Sequence, residues 1–328
     1  MRVTNKDMRP GIRLEGTVIR KLAPYMDEGT FRKANRLMNL MIGHWLSLST
    51  QMRQIKISRE DGTVMRTLIV QKRGMNSAPS GNATGLLWIH GGGYAIGAPE
   101  QDFIFADIFC ERGDCVMVIP DYRNAMEAPY PAALDDCYLA LKWMAEHAEE
   151  LGINRNQLFV GGESAGGGLT AALTIYARDR GEINLAFQIP LYPMLDDRME
   201  TPSSQDNDAP MWNTKSNIAG WKAYLREQFQ SNEVPVYAAP GRAENLTDLP
   251  PAVIYVGTIE PFHDETVRYV ERLKQAGVKV AFREYKGCYH AFDMVCPYSK
   301  ATKNAHAFLK AAFISAQKHC FAVNERKP

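Results

Sequence analysis

From about residue 64 the chain alternates short apolar runs with longer amphipathic ones. TVMRTLIV (63–70), GLLWIH (85–90), CVMVIPD (115–121), QLFVGG (157–162), LAFQIPLY (185–192), AVIYVGT (252–258) and VKVAFREY (278–285) have the length and composition of strands. Between them lie helical patterns. In residues 131–152, Leu134, Tyr138, Leu141 and Met144 share one face, with Pro131 near the start and Gly152 at the stop. Residues 169–179, 265–277 and 306–319 repeat the pattern, and Gly277 closes the second of these. Strands alternating with helices predict an α/β fold: a mostly parallel sheet of roughly eight strands, flanked by helices on both faces.

Two stretches break the alternation. Residues 1–50 contain a helical pattern around 31–48 that aligns Leu37, Met41, His44, Trp45 and Leu48 on one stripe. Residues from about 194 to 230 carry a Ser/Asp/Asn/Pro-rich loop and then another helical pattern. The expected organisation is an N-terminal cap segment (1–50) and a catalytic domain (51–328) with a cap insertion at about 194–230. The stripe has two readings: core packing, or a cap wall lining a pocket, for which Met is suited by its adaptable shape.

Composition narrows the function. With 45% hydrophobic and 23% charged residues the chain is an ordinary globular protein with enough apolar mass to bury a site. A net charge of +1 gives no electrostatic reason to expect nucleic acid or stable membrane association. The first residues hold no basic region followed by an apolar run, and no run approaches a membrane span, so the expected location is cytoplasmic. The six cysteines form no CxxC pair and no Cys/His cluster with zinc spacing, so no metal is expected. Cys288, two residues before His290, is expected to be a packed thiol rather than a reactive one.

The chemistry concentrates in two glycine-rich turns. GGESAGG (161–167) contains GxSxG and sits between a strand and a helix, the setting of a sharp turn that exposes a nucleophilic serine. Gly162, Ala165 and Gly166 supply the small neighbours such a turn needs, and the helix start behind it favours developing negative charge. HGGGY (90–94) follows the strand at 85–90. Ester cleavage passes through an oxyanion, and each lost N–H donor costs about 2.7–4 kcal/mol of barrier. The expected donors are Gly91, Gly92 and Ala165, the residue after the nucleophile Ser164. His90 is expected to stabilise its loop.

A serine needs a base, and the base a carboxylate to orient it. Of the histidines after Ser164, His306 and His319 fall in the last helical pattern and His263 follows too soon after the acid candidate Glu260. His290 lies in a loop just after a strand and is the expected base. The loop after the preceding strand offers Glu260, nearest the strand end, and Asp264, whose other reading is a helix N-cap. Glu260 is the expected acid, with Asp264 the alternative.

HGGGY, DYR (121–123) with YPAALDD (130–136), GESAGG and the pair IEPFHDE and YHAF together resemble the hormone-sensitive lipase family of α/β-hydrolases over about residues 60–320. That resemblance implies an eight-stranded sheet, a helical cap, no cofactor, and hydrolysis of short-chain acyl esters. It also implies that Gly91, Gly92 and Ala165 form the oxyanion hole. Glu163 and Glu260 stand where the family usually has Asp, and HAF at 290–292 where it usually has HGF.

The expected function is therefore a serine carboxylesterase acting on a small-molecule ester through an acyl-enzyme. The same side chains would serve an amidase, an arylformamidase or a lactonase, because specificity lies outside them. A non-catalytic small-molecule receptor on this fold would be expected to have lost the serine or the base, and both are present. VKVAFREY, as a sheet edge, is the expected site if the chain forms a homodimer.

Overall fold

The computed structural model describes residues 2–74 and 81–324. Its elements run α1 (Arg13–Leu22), α2 (Glu28–Met38), β1 (Thr50–Ser58), β2 (Val64–Lys72), β3 (Ala83–Ile89), α3 (Phe103–Cys110), β4 (Cys115–Pro120) and α4 (Ala132–Glu146). They continue as β5 (Ile153–Glu163), α5 (Ala165–Arg180), β6 (Phe187–Leu191), α6 (Thr214–Leu225), β7 (Ala252–Gly257), α7 (His263–Gln275), β8 (Val280–Tyr285), α8 (Phe292–Val295) and α9 (Lys300–His319). The strands form one eight-stranded sheet in the order β1-β2-β4-β3-β5-β6-β7-β8. β2 runs antiparallel to both its neighbours, and every pairing from β4 to β8 is parallel.

The central strands β3, β4, β6 and β7 are buried along their whole length, which is why they read as unbroken apolar runs. One face of the sheet packs against α4 and α5 through residues such as Leu141, Met144, Leu169 and Leu173. The other packs against α3 and α9 through Phe105, Phe109, Leu309 and Phe313. At ~25 cal/mol per Å², each fully buried Leu or Phe contributes about 1.5–3 kcal/mol, so this two-sided burial is what fixes strand order.

β1 has no counterpart in the periodicity. It is an edge strand whose exposed and half-exposed Gln51, Arg53, Gln54 and Lys56 hide its alternation, and its register on β2 (Thr50 opposite Lys72, Ser58 opposite Val64) holds it in place. β8 forms the other edge, as expected. The expected helix over 31–48 is shorter. α2 ends at Met38, a single 3-10 turn covers Asn39–Met41, and Gly43 at φ +81° turns the chain away. Leu37 is 66% exposed and Leu48 95%, so neither packs in the core nor lines a pocket. Trp45 is half-buried, edge-on to Phe103 at 6.4 Å, and the side chain of Met41 lies outside the described residues.

The segments that broke the alternation pack on each other. Phe31 of α2 is fully buried and stacks with Trp212 at 6.4 Å. Met26 N–H donates to Ser216 Oγ (2.8 Å), Asn213 Nδ2 to the Pro24 carbonyl (2.7 Å) and Asn35 Nδ2 to the Ala95 carbonyl (2.9 Å). Asn213 caps α6 through Ser216 N–H, and Asp27 caps α2 through Thr30 N–H.

Candidate active site

β5 ends in the expected sharp turn. Ser164 sits at φ +58°, ψ −120°, a backbone state that costs about 1–3 kcal/mol for a residue with a Cβ. The surroundings hold it there: Ser164 N–H donates to the Leu191 carbonyl (3.0 Å), and its carbonyl accepts from Gly168 and Met194. A methyl on Gly162 or Gly166 would collide with the Ile89 carbonyl, so both positions admit only hydrogen where strand and helix cross. α5 begins at Ala165, one residue after the serine and four earlier than its apolar pattern suggests, because three glycines dilute its first turn.

His290 lies in the loop between β8 and α8. Its Nδ1 donates to Glu260 Oε2 in a short hydrogen bond, leaving Nε2 as acceptor 2.8 Å from Ser164 Oγ. Glu260 is fully buried just past β7, and its Oε1 accepts from Gly257 N–H at 2.8 Å. The imidazole is walled edge-on by Tyr192 and Phe262, each at 5.0 Å, with Trp212 at 6.4 Å. Ser164 and His290 are each 3% exposed.

Asp264 points elsewhere. It lies inside the first turn of α7 rather than at its cap, accepts from Ser203 N–H (2.8 Å), and pairs with His263 Nδ1 (2.7 Å). His263 reaches on to Glu284 (2.7 Å).

The N-terminal segment braces the loop that carries His290. Arg9 N–H donates to the Gly287 carbonyl (2.8 Å), and Tyr289 Oη donates to the Ile12 carbonyl (3.2 Å). Gly16 of α1 lies against Met8 and the Tyr289 ring so closely that a Cβ would have no room.

The HGGGY loop follows β3 and lies beside the elbow. Gly92 (φ +121°) and Gly93 (φ +60°) adopt conformations suited to glycine, and Trp212 fills the space above Gly93. One expectation needs correction here. Gly91 N–H is already taken by Glu163 Oε1 at 2.5 Å, so it is not free to bind an oxyanion. Neither Gly92 N–H, Gly93 N–H nor Ala165 N–H has a partner among the described residues. His90 is buried, stacks on Tyr122 at 4.2 Å and shares a hydrogen bond between Nδ1 and the Gly91 carbonyl (2.9 Å). Burial pushes its imidazole below its ordinary value.

Residue-type reasoning missed the work of Glu163. Besides Gly91 it accepts from Gln101 Nε2 (3.2 Å). Burial raises its carboxyl to about 7, against the opposing pull of His290 and of these hydrogen bonds. The available signal was an acid flanking the serine, one chain crossing away from three adjacent glycines. DYR and YPAALDD resolve into a structural clamp: buried Asp136 receives Arg59 (2.7 Å) and Arg123 (2.8 Å). Burial alone would raise its carboxyl, but the two guanidinium groups outweigh it and hold it below the ordinary range. Cys288 is buried and its thiol is pushed up to about 12 by desolvation. No group of His, Cys, Asp and Glu among the described residues is arranged to hold a metal ion.

A parallel sheet, a strained serine at the end of its fifth strand and a serine–histidine–carboxylate chain define the class of α/β-hydrolases. Residues 86–294 match the family model described as alpha/beta hydrolase fold. The chain belongs to this family, in its hormone-sensitive lipase branch. It is 37% identical over 212 residues to esterase LipI of Mycobacterium tuberculosis, a match covering 63% of this chain and 65% of that protein. Carboxylesterase NlhH of the same species is 34% identical, covering 69% of this chain and 73% of the relative. Among solved structures, a bacterial heroin esterase superposes with a TM-score of 0.86 at 33% identity, covering 96% of this chain and 99% of its own.

Proposed function

We propose that this carboxylic ester hydrolase cleaves small, short-chain acyl esters through an acyl-enzyme on Ser164, with His290 as base and Glu260 as its orienting acid. The observation that carries this is the continuous chain from Ser164 Oγ to His290 Nε2 (2.8 Å) and from His290 Nδ1 to Glu260. Ser164 Oγ attacks the ester carbonyl while Nε2 takes its proton. The tetrahedral oxyanion is held by Gly92 and Ala165 N–H, with Gly93 in the place expected of Gly91. Collapse breaks the C–O bond, and the proton on Nε2 passes to the leaving alkoxide. Water then repeats the attack on the acyl-serine, releases the acid and restores Ser164. Glu260 fixes the tautomer and stabilises the imidazolium in a site that excludes bulk water, where the charge pair is worth more than at the surface.

The N-terminal segment and the 194–230 insertion act together as a cap. Trp212 and Phe262 flank His290, with Phe31 stacked on Trp212, and these apolar surroundings favour an apolar acyl group on the serine. The test is hydrolysis of p-nitrophenyl esters from acetate to palmitate, run beside Ser164→Ala. Turnover of the short esters, lost by at least ~10⁴-fold in the variant, is expected. Turnover that survives the substitution, or none from the intact enzyme on any ester, refutes the proposal.

A further inference from the structure

The near-neutral net charge conceals a segregation. Residues 1–48 carry nine Lys and Arg against four Asp and Glu, a net +5, while the remaining 280 residues carry 29 against 33, a net −4. The same segment concentrates exposed apolar surface: nine of the fourteen exposed large hydrophobic side chains among the described residues lie between 14 and 48. α1 shows how the two are arranged. Ile12, Gly16 and Ile19 face the protein, where Gly16 meets Met8 and Tyr289. The opposite side presents Leu14 (75% exposed), Val18 and Leu22 (81%), spaced four residues apart on one stripe. Exposed Lys21 lies beside that stripe, with half-buried Arg13 and Arg20 next to it, Arg13 Nη2 donating to the Met8 carbonyl, and α2 adds exposed Lys33 and Arg36, together with Arg32, which pairs with Glu28.

We propose that the outer face of this N-terminal segment is a reversible docking surface for an anionic lipid–water interface. A folded domain places Leu14 and Leu22 in water only at the cost of hydrating them, and an apolar stripe flanked by cations is the pattern that lies in a bilayer headgroup region. Charge selects the occupant: a second copy of this chain would bring the same net positive segment against itself, whereas anionic headgroups complement it. The apolar stripe likewise favours lipid over nucleic acid, which would leave the leucines exposed. Among the described residues no helix is long and apolar enough to cross a membrane, so binding is peripheral. This inference does not depend on the esterase reading.

The test uses the full chain in sedimentation with vesicles of phosphatidylcholine alone and of phosphatidylcholine with 30 mol% phosphatidylglycerol. The intact protein is expected to partition at least ~10-fold more strongly onto the anionic vesicles, and to be released by raised salt. Lys21→Glu with Arg36→Glu, both exposed, is expected to weaken partitioning by about 25-fold, fivefold for each cation lost. Leu14→Gln with Leu22→Gln should cost about tenfold or more. Hydrolysis of p-nitrophenyl acetate by these variants should equal that of the parent, which reports that they fold. Equal binding to both vesicles, or binding to neither, overturns the proposal. So does a dimer in light scattering that Leu14→Gln with Leu22→Gln dissociates, because a second copy would then cover the face. Failure of the intact enzyme to hydrolyse p-nitrophenyl acetate would sink the esterase reading and leave the vesicle result standing.

Discussion

Replacing Glu163 with Gln removes one proton site and almost nothing else, so its effect can be worked through. The amide oxygen can still accept the Gly91 N–H that Glu163 holds at 2.5 Å. In the folded protein the carboxyl titrates at about 7 instead of 4.5, chiefly because it is buried. At about 1.4 kcal/mol per pH unit, this displacement amounts to about 3 kcal/mol. The sign follows from which state holds the proton. Between 4.5 and about 7 the folded protein keeps it while the unfolded chain has released it, so stability falls as pH rises through that window. Below 4.5 both states are protonated and the penalty is absent; above about 8 it is complete. Gln carries no such penalty. The stability of Glu163→Gln relative to the parent should therefore climb by about 3 kcal/mol from pH 4.5 to pH 8. At ~2.1 cal/mol/K per residue, the unfolding entropy of 328 residues is roughly 0.7 kcal/mol/K, so the difference in Tm should widen by about 4 °C. Scanning calorimetry of both proteins at half-unit pH steps reads this directly, and the titration of groups that do not interact with Glu163 cancels in the difference. A gap constant to about 1 °C across pH 5–8, or one that narrows as pH rises, would refute the argument.

Other outcomes follow from the site. Glu260→Ala should lower kcat for p-nitrophenyl butyrate by about 10⁴-fold, whereas Asp264→Asn, whose partners are Ser203 and His263, should stay within about threefold; equal losses would mean that Asp264 shares the work. Five of the six thiols are buried and only Cys320 is partly exposed, so Ellman's reagent should titrate about one thiol in the native protein without loss of activity. Rapid inactivation through Cys288 would contradict its burial. Gly92→Ala should abolish activity while Gly43→Ala leaves it intact: both have positive φ, but a methyl at Gly92 meets the Ile96 carbonyl and one at Gly43 meets nothing.

Most of the sheet was legible because its central strands are buried on both faces and so are continuous apolar runs. β1 was not, because an edge strand needs no such run and its polar side chains mask the period. Ser164, His290 and Glu260 could be singled out as candidates because the glycines around the serine and the order of strands leave few positions for them, and the structure brings the three side chains together. The oxyanion donors were harder. Which of Gly91, Gly92 and Gly93 keeps a free N–H depends on the hydrogen bond that Gly91 N–H donates to Glu163, which a motif does not reveal. The stripe from Leu37 to Leu48 misled for a similar reason. Apolar spacing reports that a face exists, not which way it points, and Gly43 breaks the helix that would have carried it inward.

The clamp between the amino-terminal segment and the loop of His290 carries a consequence for how this sequence can drift. Gly16 has no room for a Cβ because the ring of Tyr289 and the sulfur of Met8 occupy that space, and Tyr289 is the immediate neighbour of His290. The two positions, 273 residues apart in the chain, are bound to one another: a larger residue at 16 requires a smaller one at 289, along with a shift of the flexible Met8 side chain. The same change would remove the hydroxyl that Ile12 receives. Among descendants of a common ancestor, substitutions at 16 and 289 should therefore arrive in pairs. A chimaera that joins the first 20 residues of one relative to the body of another should lose turnover when the pair is mismatched, and regain it when both partners come from the same parent.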